Sequence, residues 1–321
     1  MLRQAYAVFT PPIQDLVNNI TNWIDQQETG AYIHGPSRFG KTTAIQNFLR
    51  DMLIERFGEP VPLVIWNRPS FGGRLSEGRF WREILRALNC KLADIRGKLT
   101  EDYREQVLSS LTAEAIQAHV RYVVLVIDEG QAISDDELEW LLGLQNDLKL
   151  RSGIRLSLFL VGAHQIGYVF SSLAMTNNRH LAARFLSADA SFHGLRSAKE
   201  FEFALAGYDN DSEWPPGSGT TYTSYFAPEA YASGFRLSDS ADLLWQSMIA
   251  LLPSEIDSVR EFPMKHVAHS AERALKDLAR GVNPDDAVSR QAWVDRLDSL
   301  QFSRNMRIVV DMPRKKKASN S

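Results

Sequence analysis

The 321-residue sequence predicts an α/β fold, a parallel sheet with helices on both faces, joined to a smaller α-helical domain. Three observations predict it. Short apolar runs alternate with segments of helical spacing over roughly the first 205 residues. One of those runs leads directly into a glycine-bearing loop and then a helix. Past residue 206 the aliphatic runs stop, and helical periodicity resumes only near 239.

The elements follow in order. Pro11-Pro12 opens IQDLVNNITNWIDQQ, where Ile13, Leu16, Val17, Ile20, Trp23 and Ile24 recur at helical spacing, and Gly30 ends it. Residues 31–34 read as a buried strand, and TTAIQNFLRDMLIERFG as one amphipathic helix stopping at Gly58. A second strand covers 62–66, then a turn-rich stretch, NRPSFGGRLSEGR, and the helix FWREILRALN. A helical pair is expected over about 92–120. Residues 122–127 are nearly all apolar, as expected for a strand covered on both faces. The helix DDELEWLLGLQNDLKL and a strand over 155–161 complete the α/β part. Residues 208–236, rich in Gly, Pro, Ser and Tyr, read as an irregular insertion. Its aromatics either cap the core or offer a docking surface. Three helical segments follow, ADLLWQSMIALLP, PMKHVAHSAERALKDLARG and DDAVSRQAWVDRLDSL. The expected divisions are therefore 1–205, 206–238, 239–302 and 303–321, with no internal repeat.

Composition sets the class. Hydrophobic residues make up 44 %, enough for a sizeable core. The net charge of −3 predicts no strongly basic body, although a local basic stripe suffices for nucleic acid. A single cysteine, Cys90, excludes an internal disulfide framework and fits a reducing compartment. The amino terminus lacks the apolar run of a signal peptide, and no stretch is long and apolar enough for a membrane span. The chain is expected to be soluble and cytoplasmic. The tail Pro313-Arg314-Lys315-Lys316-Lys317 reads as a disordered end or as a contact for nucleic acid or a partner.

The chemistry-bearing residues lie on the predicted strand ends. Gly35-Pro36-Ser37-Arg38-Phe39-Gly40-Lys41-Thr42 matches the P-loop pattern G-x-x-x-x-G-K-[ST] in full, in the required strand–loop–helix context. Its amides would form an anion nest at a helix start. Lys41 would meet the β- and γ-phosphates of a nucleoside triphosphate, Thr42 would ligate magnesium, and Thr43 lines the same turn. The run 123–127 delivers Asp128 and Glu129 to the carboxyl edge of the sheet, where ligands bind in such folds. Asp128 would hold magnesium and Glu129 would polarise the attacking water. At the next strand end, His164 and Gln165 are both candidates for sensing the γ-phosphate. In NRHLAARF, Arg184, with Arg179 in reserve, is the candidate for completing a neighbouring subunit's site as an arginine finger. Arg68, Arg74, Arg79, Lys98 and Arg104 are candidates for tracking a DNA backbone.

With those elements in place, the chain resembles an AAA+ ATPase, and within that class the TnsC/TniB group of ATP-dependent transposition regulators. The resemblance runs through VFTPPIQDLVNNI, YIHGPSRFGKTT, VPLVIWNRPSF with FWREILRALN, VVLVIDEGQAIS, LFLVGAHQ and LAARF, over about 1–200. AERALKDLARGVNPDDA is similar to a lid. The sensor strand reads Gly162-Ala163-His164-Gln165 where the group often has Gly-Thr-Pro. The lid shows no arginine in a G-x-x-R setting; Lys265, His266 and Arg273 are its candidates. The resemblance implies ATP and Mg2+ as ligands and a homo-oligomeric ring or helical filament on double-stranded DNA. It implies Arg184 acting in trans, and a transposase subunit and a TniQ-type targeting protein as partners. Hydrolysis would then disassemble the oligomer. The other readings are a helicase loader or initiator, and an ATP-dependent scaffold without nucleic acid.

Overall fold

The computed structural model describes residues 6–69, 75–95, 97, 99–176, 178–256 and 260–309. They form two units. One comprises residues 13–35 and 41–192; the other draws on 6–12, 36–40 and 193–309.

The first unit is built on five strands: β1 (Gly30–His34), β2 (Leu63–Asn67), β3 (Tyr122–Asp128), β4 (Arg155–Gly162) and β5 (Asp189–Ser191). Their order is β2-β3-β4-β1-β5, and every pairing is parallel. The central strands β3 and β4 are buried at all but their first residues. That accounts for their unbroken apolar runs, because helices cover both faces of a parallel sheet. β5 was not legible beforehand. Its three residues, DAS, are mostly exposed and carry no apolar signal, and they are strand only because β1 offers an edge.

Among the described residues, these helices accompany the sheet: α1 (Pro11–Asp25), α2 (Lys41–Asn47), α3 (Leu49–Phe57), α4 (Glu77–Ala87), α5 (Thr100–Gln117), α6 (Asp135–Ser152), α7 (Ile166–Met175) and α8 (Arg179–Phe185). The single helix expected after the P-loop is interrupted at Phe48, whose φ of −123° is not helical. Instead of a helical pair over 92–120, a 3-10 turn (Lys91–Asp94) precedes α5. Asp102 accepts the Leu99 amide at 3.0 Å and so starts α5 at 100. α6 carries a reciprocal cap: Ser134 Oγ accepts the Glu137 amide, and Glu137 Oε2 accepts the Ser134 amide at 2.7 Å. Three acids in its first turn and a left-handed Gly153 at its end complete the local code.

The second unit is helical: α9 (Ala198–Ala206), α10 (Tyr222–Phe226), α11 (Pro228–Ala232), α12 (Ala241–Ala250), α13 (Met264–Ala279), α14 (Pro284–Ala287), α15 (Arg290–Ser299) and α16 (Phe302–Val309). Two expectations are corrected here. The first unit ends at Phe192, not near 205. Residues 206–238 fall within the helical unit and are not a separate irregular segment. Tyr208, Tyr222 and Phe226 lie in the helical unit's own core with Phe201, Phe262 and Trp293. Buried Asp209 ties the segment together, accepting from the Thr223 hydroxyl at 2.7 Å and from the Leu237 and Ser238 amides at 3.0 Å. Gly and Pro hid this, because aromatic packing and one carboxylate order the segment in place of periodicity. The basic tail at 313–317 lies outside the described residues.

Candidate functional site

The parallel register sets the ends of β1, β3 and β4 side by side. His34 pairs with Gly162, and Asp128 with Val161. Gly35 continues the ladder, its amide donating to Gly162 O at 3.1 Å. A Cβ there would lie 2.2 Å from Phe192 O, so only glycine passes. Arg38 and Gly40 take left-handed backbone, with φ of 69° and 116°. Arg38 does so at a steric cost of about 1 kcal/mol. Phe39, the crown's apolar residue, is buried in the helical unit, where a Cβ on Gly194 would lie 2.6 Å from its ring. Pro36 and Ser37 complete the crown.

Lys41 starts α2, and Thr42 and Thr43 lie in its first turn. The Lys41 ammonium donates to Gly35 O at 2.9 Å. Burial lowers its pKa to about 8, against the pull of the Asp128 and Glu129 carboxylates. The Thr42 hydroxyl donates to Asp128 Oδ2 at 2.7 Å. Asp128, 2 % exposed, also accepts the Glu129 amide through Oδ1 at 2.9 Å. Burial raises its pKa above the ordinary carboxylate value; the bond from Thr42 opposes the rise and the Glu129 charge adds to it. Glu129 turns out of the strand with φ 57°, and its Oε2 accepts from Gln131 Nε2 at 2.5 Å. Gln131 Oε1 in turn accepts the Ala163 amide at 2.9 Å. Gln131 escaped the sequence reading; its only signal is a polar side chain in the turn after the acidic pair.

Of the two sensor candidates, His164 faces β1: its Nδ1 lies 2.9 Å from Nδ1 of His34, the residue before Gly35. His34 Nε2 is 3.6 Å from Asp189 Oδ2. Gln165 is exposed at the start of α7 and makes no capping bond.

Arg184 is held elsewhere. Its Nε donates to Gln145 Oε1 at 2.9 Å, and buried Gln145 donates to Thr29 O and Leu156 O at 2.9 and 2.8 Å. Those carbonyls mark the amino ends of β1 and β4. The P-loop leaves the opposite end of β1, about 13 Å away at a rise of about 3.3 Å per residue. Arg184 therefore stands outside reach of its own P-loop. Arg179 is exposed and donates to Ala174 O at 3.0 Å.

Of the proposed DNA-contacting cations, Arg68, Arg79 and Arg104 lie among the described residues. Arg68 is corrected outright: it is 3 % exposed, and its guanidinium lies 3.2 Å from buried Glu137. A cation enclosed with its counter-ion has no phosphate to meet. Arg104 joins α5 to α6 through Asp147. Arg79 is exposed on α4, while Arg74 and Lys98 lie outside the described residues. Among the lid candidates, His266 is 3 % exposed, and burial lowers its pKa to about 4. It is neutral near pH 7 and accepts from Asn305 at 3.2 Å, so it cannot serve as a cation. Arg273 donates to Ser299. Lys265 lies on α13.

Residues 24–169 match the AAA domain family. The fold is that of an AAA+ P-loop domain. A Walker-type ATPase of Pyrococcus abyssi is similar in structure, with TM-score 0.52 and 13% identity over 96% of this chain and 79% of that one. The Aeropyrum pernix ORC2 protein, solved in ADPNP–ADP complexes, aligns with TM-score 0.45 and 15% identity over 94% and 88% of the two chains. Domain III of the Thermotoga maritima replication initiation protein DnaA gives 0.46 and 12% over 91% and 94%. At 13% identity the likeness to the Walker-type ATPase speaks of fold alone. No curated protein matches. Within the AAA+ fold, the described donors fit a polyanion beside a hard cation. Half-buried Thr42 and buried Asp128 supply oxygen only, the donor type magnesium takes from one or two protein groups while it keeps waters and phosphate oxygens. No helix of the described residues is long and apolar enough to cross a membrane.

Proposed function

We propose that this chain is an AAA+ ATPase that binds ATP with magnesium, assembles on double-stranded DNA and uses hydrolysis to end the assembly. The observation that carries the reading is the arrangement of Lys41, Thr42, Asp128 and Glu129 at adjoining strand ends. Lys41 would exchange Gly35 O for the β- and γ-phosphate oxygens. Thr42 and Asp128 would hold magnesium, whose charge offsets that of the phosphates. Glu129 would take a proton from the attacking water as the new bond to γ-phosphorus forms. The bond from γ-phosphorus to the β–γ bridging oxygen breaks, and its electron pair leaves with ADP. His164, beside the P-loop strand, is favoured over Gln165 as the phosphate sensor.

The finer reading rests on the resemblance to the TnsC/TniB group: a transposition regulator that recruits a transposase subunit and contacts a TniQ-type targeting protein. A ring or filament would place Arg184 against a neighbour's nucleotide. Electron microscopy of the chain with ATP and duplex DNA tests the assembly, and particles that stay monomeric reject it. Glu129→Gln is expected to slow turnover by about a hundredfold or more while ATP still binds, so that assemblies persist. Wild-type turnover in that variant removes Glu129 from the mechanism.

A second reading, an ATP-dependent protein scaffold without nucleic acid, is favoured by the commitment of Arg68 and Arg104 to internal carboxylates. Absence of duplex binding at low salt, with ATP binding retained, selects it.

A further inference from the structure

We propose that Gln131 is the positioning residue for Glu129, holding its carboxylate to the end of β4. The inference rests on the reading of Glu129 as the group that activates water. Gln131 sits in the turn after β3, within a 3-10 turn spanning Gly130–Ala132. The turn is clamped from below: a Cβ on Gly130 would lie 2.9 Å from Leu160 Cβ, and Ile133 is buried just beyond. From that fixed base the side chain spans two groups. Its carbonyl end accepts the Ala163 amide at 2.9 Å. Its amide end donates to Glu129 Oε2 at 2.5 Å.

The chemistry leaves one orientation. A backbone N–H can only donate, so Oε1 must face Ala163, and the NH2 group is thereby directed at the carboxylate. Glutamate cannot donate from that position, and methionine can do neither. The site is also shaped for this contact. A Cβ on Gly162 would lie 2.1 Å from Gln131 Oε1, so glycine at the β4 end admits the amide. Glu129 itself leaves the strand on a left-handed backbone. Gln131 is what the described residues offer to hold it: the bond fixes one oxygen and leaves Oε1 for water. Ala163 lies between Gly162, whose carbonyl accepts from Gly35, and His164, which meets His34. The carboxylate is thus referenced to the same strand ends that carry the P-loop.

The test uses the full chain under its assembling conditions, with ATP turnover and the Kd of a fluorescent ATP analogue as separate readouts. Gln131→Met keeps length without either bond, and Gln131→Glu keeps shape without the donor. Both are expected to lower kcat by about ten- to hundredfold with Kd within about twofold, the loss typical of a misplaced catalytic group. Adding Gln131→Met to Glu129→Gln is expected to change nothing further, because the positioned group is already gone. Wild-type kcat in both Gln131 variants, or a further multiplicative loss in the double variant, overturns the inference while the reading of Glu129 stands. Wild-type turnover in Glu129→Gln overturns both.

Discussion

Lys41 is a lysine whose charge depends on what stands beside it. Without phosphate its ammonium is buried on Gly35 O, and burial brings its pKa to about 8. A triphosphate would restore the charge, so the pKa of the complex is higher than that of the free protein. Above pH ~8 binding must then take up a proton. ATP affinity is expected to be nearly level below pH ~8 and to fall by up to about tenfold per unit above it, whereas Lys41→Arg flattens the profile. Calorimetric titration between about pH 7 and 9.5 measures this, and a level wild-type profile rejects it. Asp128 poses the converse case: a desolvated acid, raised in pKa, whose ionised form a divalent cation would favour.

At the scale of elements, the turn from β3 into α6 carries more than the acidic pair. Glu137 caps α6 and at the same time neutralises Arg68 beyond β2. One Glu137 oxygen is already without a hydrogen-bond partner in the described structure. Removing Arg68 strands the remaining charge in a fully buried site. Arg68→Ala is expected to cost about 3–5 kcal/mol of stability, read by chemical denaturation. The salt dependence of any DNA binding is expected to stay unchanged, and a lowered salt slope would return Arg68 to the list of phosphate contacts.

For the molecule as a whole, the placement of Arg184 bears on the proposed assembly. It is bound to Gln145 at the amino ends of β1 and β4, away from the P-loop edge. In the proposed head-to-tail assembly, its part in hydrolysis would belong to a neighbouring copy. Arg184→Ala is expected to lower turnover of the assembled protein by about a thousandfold and to leave the slow turnover of the isolated subunit unchanged. Equal loss in both states rejects action in trans. Exposed Arg179 on the same helix gives the paired control.

What was legible beforehand was local. The P-loop spacing and the apolar run ending at Asp128-Glu129 each lie within a dozen residues, where chain geometry alone brings the groups together. That sufficed for the α/β class and for four of the five strands. The rest depended on residues far apart in the chain. DAS becomes a strand because β1 has a free edge. Arg68 reads as a surface cation until Glu137, sixty-nine residues on, encloses it. Tyr208 and Tyr222 read as insertion until the helical core forms around them. Gln131 has no meaning until β4 brings the Ala163 amide to it. The sequence by itself determined which strand ends bear chemistry, because motif spacing and period-two or period-3.6 burial are properties of short segments. Only the tertiary structure decided which polar side chains those ends would share, because a hydrogen bond or an ion pair is selected by burial and distance between segments that the sequence does not order in space.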